Sequence, residues 1–115
     1  MKKAYYISTC STCKKILNEI EAPEDLILQD IKTNKISPEQ LDEMKELAGS
    51  YEALFSRRAM KYRQMGLQDK ALSEKDFREL ILEEYTFLKR PVFMVDGEIF
   101  IGSAKSTVAK LKAAL

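Results

Sequence analysis

Two four-residue runs, Val92-Phe93-Met94-Val95 and Glu98-Ile99-Phe100-Ile101, stand on either side of Asp96-Gly97, and this pattern leaves the segment little choice but a β-hairpin. A two-residue turn of the hairpin type needs positive φ at both central positions, which Gly adopts freely and Asp tolerates. A hairpin with apolar side chains needs something to cover it. The tail supplies a cover: Ala104, Val108, Leu111 and Leu115 recur at i, i+4, i+7 and i+11, one face of a final helix.

The N-terminal part has a complementary pattern. Ala4-Tyr5-Tyr6-Ile7 reads as a strand bounded by Ser8-Thr9. Cys13, Ile16, Leu17 and Ile20 then mark the apolar face of a helix, opposite Lys14, Lys15, Asn18 and Glu19, with Pro23 as its stop. Leu26-Ile27-Leu28 is expected to be a second, buried strand, parallel to the first in a right-handed βαβ unit. Adding the hairpin and tail helix gives βαβ plus ββα: an α/β thioredoxin-like fold with a mixed four-stranded sheet.

Between the halves the pattern is helical. Ser37-Pro38-Glu39-Gln40 combines an N-cap serine, proline at the first helical position and a capping-box glutamine, and Leu41, Met44, Leu47 and Ala48 form a stripe ended by Gly49. Residues 51–66 are less regular and suggest two short helices with a break. Ser73 caps another helix whose buried face is Phe77, Leu80, Ile81 and Tyr85, and Arg90-Pro91 marks the return to strand. The expected organisation is one domain over 1–115, its core made of about 1–32 and 90–115, with a helical insert over about 36–86.

The charge balance of 19 basic against 18 acidic residues gives no global field for gathering nucleic acid or a membrane surface, so neither is an expected partner. Lys2-Lys3 precede an apolar run too short for a signal sequence, and no apolar stretch approaches the roughly 18 residues of a membrane span, so a cytoplasmic location is expected. Reducing compartments disfavour permanent disulfides, which turns attention to how the two cysteines are spaced.

Cys10-Ser11-Thr12-Cys13 falls at the junction of the first strand and first helix, where free backbone N–H groups and the helix dipole favour a thiolate. Cys10 is the expected attacking thiolate, with a pKa below the free-thiol value of about 8.5. Cys13, on the apolar face nearly one turn later, suits the resolving role: Cys10 forms a mixed species, Cys13 displaces the product, and an external thiol reduces the pair. Two other uses of the motif exist. A structural zinc site wants four Cys or His ligands, and a chain with two cysteines and no histidine could complete one only across a dimer. A purely structural pair is the other. The lack of histidine excludes Cys-His catalysis within the chain.

Several blocks together resemble the arsenate reductase (ArsC) and Spx family of thioredoxin-fold proteins: CSTCKK at 10–15, FSRRAMKYRQMGL at 55–67, RPVFMVDG at 90–97 and IGS at 101–103. The resemblance implies a cis Pro91 lining the substrate groove near the active cysteine, with Arg90, Arg58 and Lys14 as substrate or oxyanion contacts. Arg57 is the neighbouring alternative to Arg58, and an ordinary surface ion pair is the alternative role for each arginine. Arginine suits this task because its fork donates bidentately to a tetrahedral oxyanion. Lys14 stands where the reductases carry an arginine four positions after the cysteine, and Gly102 stands where another arginine would fall. Those departures weaken the likeness to arsenate reduction, whereas the CxxC, the insert arginine Arg58 and Gly102 are shared with Spx, a regulator that binds RNA polymerase and switches by oxidising its cysteine pair. The resemblance thus implies a thiol-dependent reductase, with no bound cofactor, a glutathione, glutaredoxin or thioredoxin-like electron donor, and a small oxyanion or disulfide as substrate. The alternative it implies is a redox sensor bound to RNA polymerase.

Overall fold

The computed structural model describes residues 1–115, which form two compact units: Met1–Lys35 with Arg90–Leu115, and Ile36–Lys89.

In the first unit the chain runs β1 (Lys2–Tyr6), α1 (Ser11–Glu19), β2 (Ile27–Asp30), and then, after the second unit, β3 (Val92–Val95) and β4 (Glu98–Ile101). The sheet order is β2-β1-β3-β4; β1 pairs parallel with β2 and antiparallel with β3, and β3 pairs antiparallel with β4. This is the mixed four-stranded, thioredoxin-like α/β arrangement. Asp96 and Gly97 have φ of 48° and 89°, the two left-handed residues that the hairpin turn demands. The C-terminal helix of this unit, Lys105–Ala114, packs Val108 and Leu111 into a core with Ala4, Ile16, Ile20, Leu26, Phe93, Val95 and Phe100. Burial of these side chains is the main stabilising term, at about 1.5–3 kcal/mol for each large one.

Two local expectations fail here. Residues 26–28 were expected to form a buried strand, but β2 lies at the sheet edge, and Ile27 and Leu28 are 50% and 49% exposed. An apolar triplet does not specify its place in the strand order, and an edge strand has a neighbour on one side only. The first helix also ends before Pro23: Glu21 already has φ of 50°, so the helix is broken by a left-handed residue.

The second unit contains α2 (Pro38–Ala48), α3 (Met60–Gln64) and α4 (Glu74–Glu83), with 3-10 turns at Glu52–Leu54, Leu67–Asp69 and Tyr85–Phe87. Both capping boxes form: Ser37 Oγ accepts from the Gln40 amide, and Ser73 Oγ from the Asp76 amide. The Phe55 ring lies 4.9 Å from Phe77, 5.1 Å from Phe87 and 6.0 Å from Tyr62, centroid to centroid. Around this aromatic cluster Leu41, Met44, Leu54 and Ile81 are fully buried. The C-terminal end of the unit is tied to its middle where the Ser56 amide donates to the Phe87 carbonyl at 2.7 Å and the Lys89 amide to the Leu54 carbonyl at 2.8 Å. Leu47, expected in the buried stripe, is 39% exposed, because that stripe is narrower than the apolar pattern. Tyr85 is not on α4, which gives way at Glu84 to extended backbone with φ of −135°.

Candidate functional site

Cys10 is the N-cap residue of α1, with φ −84° and ψ 116°, so the chain arrives extended and turns into the helix at this sulfur. Its amide donates to the Ile7 carbonyl at 3.0 Å, closing a turn over residues 7–10, and its carbonyl accepts from the Lys14 amide at 3.1 Å as the helix begins. The side chain is partly exposed, and both cysteines are free thiols.

Partial burial works against a charge on Cys10, but other contacts outweigh it. The Cys13 amide and thiol, the Arg90 guanidinium and the Thr12 amide all favour its anion, and the pKa falls below the ordinary value. Cys13 is treated oppositely. It is fully buried on the inner face of α1, and burial, with the adjacent Cys10 sulfur adding to it, pushes its thiol up to about 11. One turn of chain thus carries an easily ionised sulfur and a reluctant one, separated by two residues.

Arg90 and Pro91 enter the site from the start of β3. Their peptide bond is cis, Pro91 is buried, and its carbonyl accepts from the Gly102 amide at 2.9 Å. Arg90 is in no ion pair, and its Nε is buried without a hydrogen-bond partner, so one guanidinium donor remains unsatisfied beside Cys10. A buried donor in this condition is costly unless something else accepts from it. An oxyanion or the polar edge of a substrate has the chemistry to do so.

Of the residues singled out from sequence, Cys10, Cys13 and Arg90 are therefore brought together in the first unit, with Pro91 next to Arg90 in the chain. Lys14 is exposed on the outer side of α1. Arg58 lies in the second unit, exposed and without an ion pair. Its alternative, Arg57, is committed locally: Nη2 contacts Glu52 Oε2 at 2.7 Å, and the guanidinium sits 5.6 Å from the Phe77 ring centroid. The sequence reading missed one contact, between the Ser8 hydroxyl and Asp30 Oδ2 at 2.5 Å, which links the Cys10 turn to the end of β2. The signal for it was the parallel βαβ pattern, which places the C-terminal ends of two strands side by side, but the partner residue depends on register.

No groups of three or more His, Cys, Asp or Glu are placed to hold a metal ion, and no helix is long and apolar enough to cross a membrane.

A family model described as the ArsC family matches residues 5–111. No curated protein matches the chain. Among solved structures, the YFFB (PA3664) protein is 26% identical, with a TM-score of 0.82 over 100% of this chain and 99% of that one. An arsenate reductase (ArsC) related protein from Brucella melitensis is 25% identical, with a TM-score of 0.73 over 95% and 92% of the two chains. The arsenate reductase from Vibrio cholerae, at 18% identity, shares the fold with a TM-score of 0.78 over 99% of this chain and 97% of that one. The family match runs from β1 into the last helix and includes the Cys10 turn and the Arg90-Pro91 junction; this chain belongs to the ArsC family.

Proposed function

We propose that the protein is a cytoplasmic thiol-dependent reductase in which Cys10 attacks and Cys13 resolves, with residues 1–115 acting as one domain. The observation that carries this reading is the opposed treatment of the two sulfurs: Cys10 is favoured as an anion at the start of α1, and Cys13 is kept protonated by burial.

With a disulfide substrate, the Cys10 thiolate forms a bond to one substrate sulfur, and the other leaves as a thiolate. Cys13 then loses its proton and attacks Cys10 Sγ, the remaining substrate thiolate departs, and a Cys10–Cys13 disulfide results. Two electrons have moved from the pair to the substrate. Two external thiols, of the glutathione, glutaredoxin or thioredoxin type, return them. With arsenate, Cys10 displaces an oxygen as water or hydroxide, Cys13 attacks Cys10 Sγ, and arsenic leaves with the electron pair as arsenite. No bound cofactor is required in either case.

The order of events has an electrostatic basis. While Cys10 is a thiolate, its charge and hydrogen bond add to the burial that keeps Cys13 protonated, and Arg90 acts the other way. Once Cys10 is in a mixed species that charge is gone, Arg90 still favours the Cys13 anion, and the resolving thiol becomes easier to ionise. Arg90 Nε, lacking a partner, supports a role in binding an anionic or polar substrate atom, and the family resemblance suggests anion binding for the exposed Arg58 as well.

The test is turnover of hydroxyethyl disulfide and of arsenate with glutathione, glutathione reductase and NADPH. Activity with either substrate that is abolished in Cys10→Ser supports the reading. Wild type showing no activity above the uncatalysed rate on both overturns it. A second reading, a redox sensor that binds RNA polymerase in the manner of Spx, is favoured by the Cys10–Cys13 spacing, Arg58 and Gly102, which the resemblance shares with Spx. Polymerase capture that changes between reduced and oxidised protein would support that second reading.

A further inference from the structure

In the first unit, β1 and β2 run parallel with Tyr6 opposite Asp30, so the segment leaving β1 passes beside the end of β2. The segment leaving β1 is the turn that carries Cys10. The Ile31 amide donates to the Tyr6 carbonyl at 2.9 Å, fastening the two strand ends together. Two residues beyond Tyr6, the Ser8 hydroxyl donates to Asp30 Oδ2 at 2.5 Å. Asp30 is itself held in place: its Oδ1 accepts the Lys32 amide at 3.2 Å, and its backbone carbonyl accepts the Asn34 amide at 2.8 Å. A fixed ionised acceptor makes a shorter and stronger hydrogen bond than a neutral one, so Ser8 is bound to a rigid post.

We propose that Asp30 is a positioning residue for Cys10: by holding Ser8 it sets the Ile7–Cys10 turn so that the Cys10 sulfur lies against the first amides of α1. The inference rests on the reading of Cys10 as the working thiolate. Stabilisation by amide N–H groups is directional, so a turn that loosens by a fraction of an ångström reduces the preference for the anion. The Ser8 hydroxyl, foremost among the groups around it, keeps the Asp30 carboxyl below its usual range, and Asp30 stays charged wherever Cys10 titrates.

The sign of the effect separates this role from a simpler one. A carboxylate acting on Cys10 only through space would disfavour the thiolate, and removing it would lower the Cys10 midpoint. Acting through the turn, its removal raises that midpoint.

The experiment is a pH titration of the Cys10 thiolate in the full chain, by absorbance at 240 nm and by iodoacetamide rate, for wild type, Asp30→Ala, Ser8→Ala and Asp30→Asn. Asp30→Ala and Ser8→Ala are expected to raise the midpoint by about half a pH unit and to slow alkylation about threefold below both midpoints. Asp30→Asn, which keeps an acceptor for Ser8, is expected to stay within about 0.2 of the wild-type midpoint. A midpoint unchanged or lowered in Asp30→Ala, or raised as far in Asp30→Asn as in Asp30→Ala, overturns the proposal. If Asp30→Ala does not fold, Ser8→Ala decides by the same criterion. Wild type titrating like a free thiol would sink the parent reading before any variant is compared, whereas failure confined to the variants sinks this inference alone.

Discussion

Selective alkylation of the reduced wild-type protein at pH 7 tests the asymmetry on which the proposed chemistry depends. Cys13 is fully buried, and its thiol is pushed up to about 11, chiefly by that burial. Relative to a free thiol at about 8.5, this leaves about 300-fold less thiolate at neutral pH, and only the thiolate is alkylated. Inaccessibility of the sulfur slows the reaction further, so the factor is a lower bound. Cys10 is partly exposed and its pKa is lowered, so its thiolate population exceeds that of a free cysteine. Timed iodoacetamide labelling, followed by digestion and mass spectrometry of the two cysteine-bearing peptides, reads both rates in one sample. Cys10 is expected to react at least as fast as a model thiol and Cys13 to stay unlabelled until Cys10 is saturated. Cys13 labelling within tenfold of the model thiol would refute the argument that burial controls its ionisation.

The other predictions probe the remaining parts of the molecule. Arg90→Ala should raise the Cys10 midpoint by about one pH unit, equivalent to about 1.4 kcal/mol between the two protonation states, and an unchanged midpoint in a thiolate titration would remove Arg90 from the site's electrostatics. Asp42 is held down to about 2 by the Arg78 guanidinium, at 2.8 Å, and then by the Tyr51 hydroxyl. A carboxyl lowered in the folded state stabilises the fold above its unfolded pKa, and the contribution disappears as pH falls from about 4 towards the folded value. Asp42→Asn should therefore flatten the acid side of the denaturation profile, and a profile parallel to wild type between those values would contradict the assignment. Phe55→Ala removes the ring at the centre of the aromatic cluster and should cost about 3–5 kcal/mol in chemical denaturation; a loss below about 1 kcal/mol would show that the second unit does not depend on it.

Local signals in the amino-acid order were most informative where a short stretch of chain supplies its own constraint. Ser37-Pro38 with Gln40, and Ser73 with Asp76, start their helices because the cap groups satisfy amides three residues away. Asp96-Gly97 makes its turn because few residue pairs tolerate positive φ twice in succession. Cys10 and Cys13 fall into the same class: one turn of helix puts the first sulfur at the amide end and the second on the buried face.

Position in the sheet was not legible in this way. Leu26-Ile27-Leu28 is apolar whether it ends up central or at an edge, and β2 is at the edge because β1 takes β3 as its other neighbour. Arg57 and Arg58 are alike in the sequence, and only the tertiary contact with Glu52 distinguishes Arg57. The sequence by itself therefore determined the helix starts, the hairpin and the spacing of the two thiols, since each depends on bonds between residues a few positions apart. Tertiary structure alone decided which strand lies at the edge, that Arg90 faces Cys10 and that Ser8 meets Asp30, since strand register and long-range packing join residues whose separation along the chain carries no local signal.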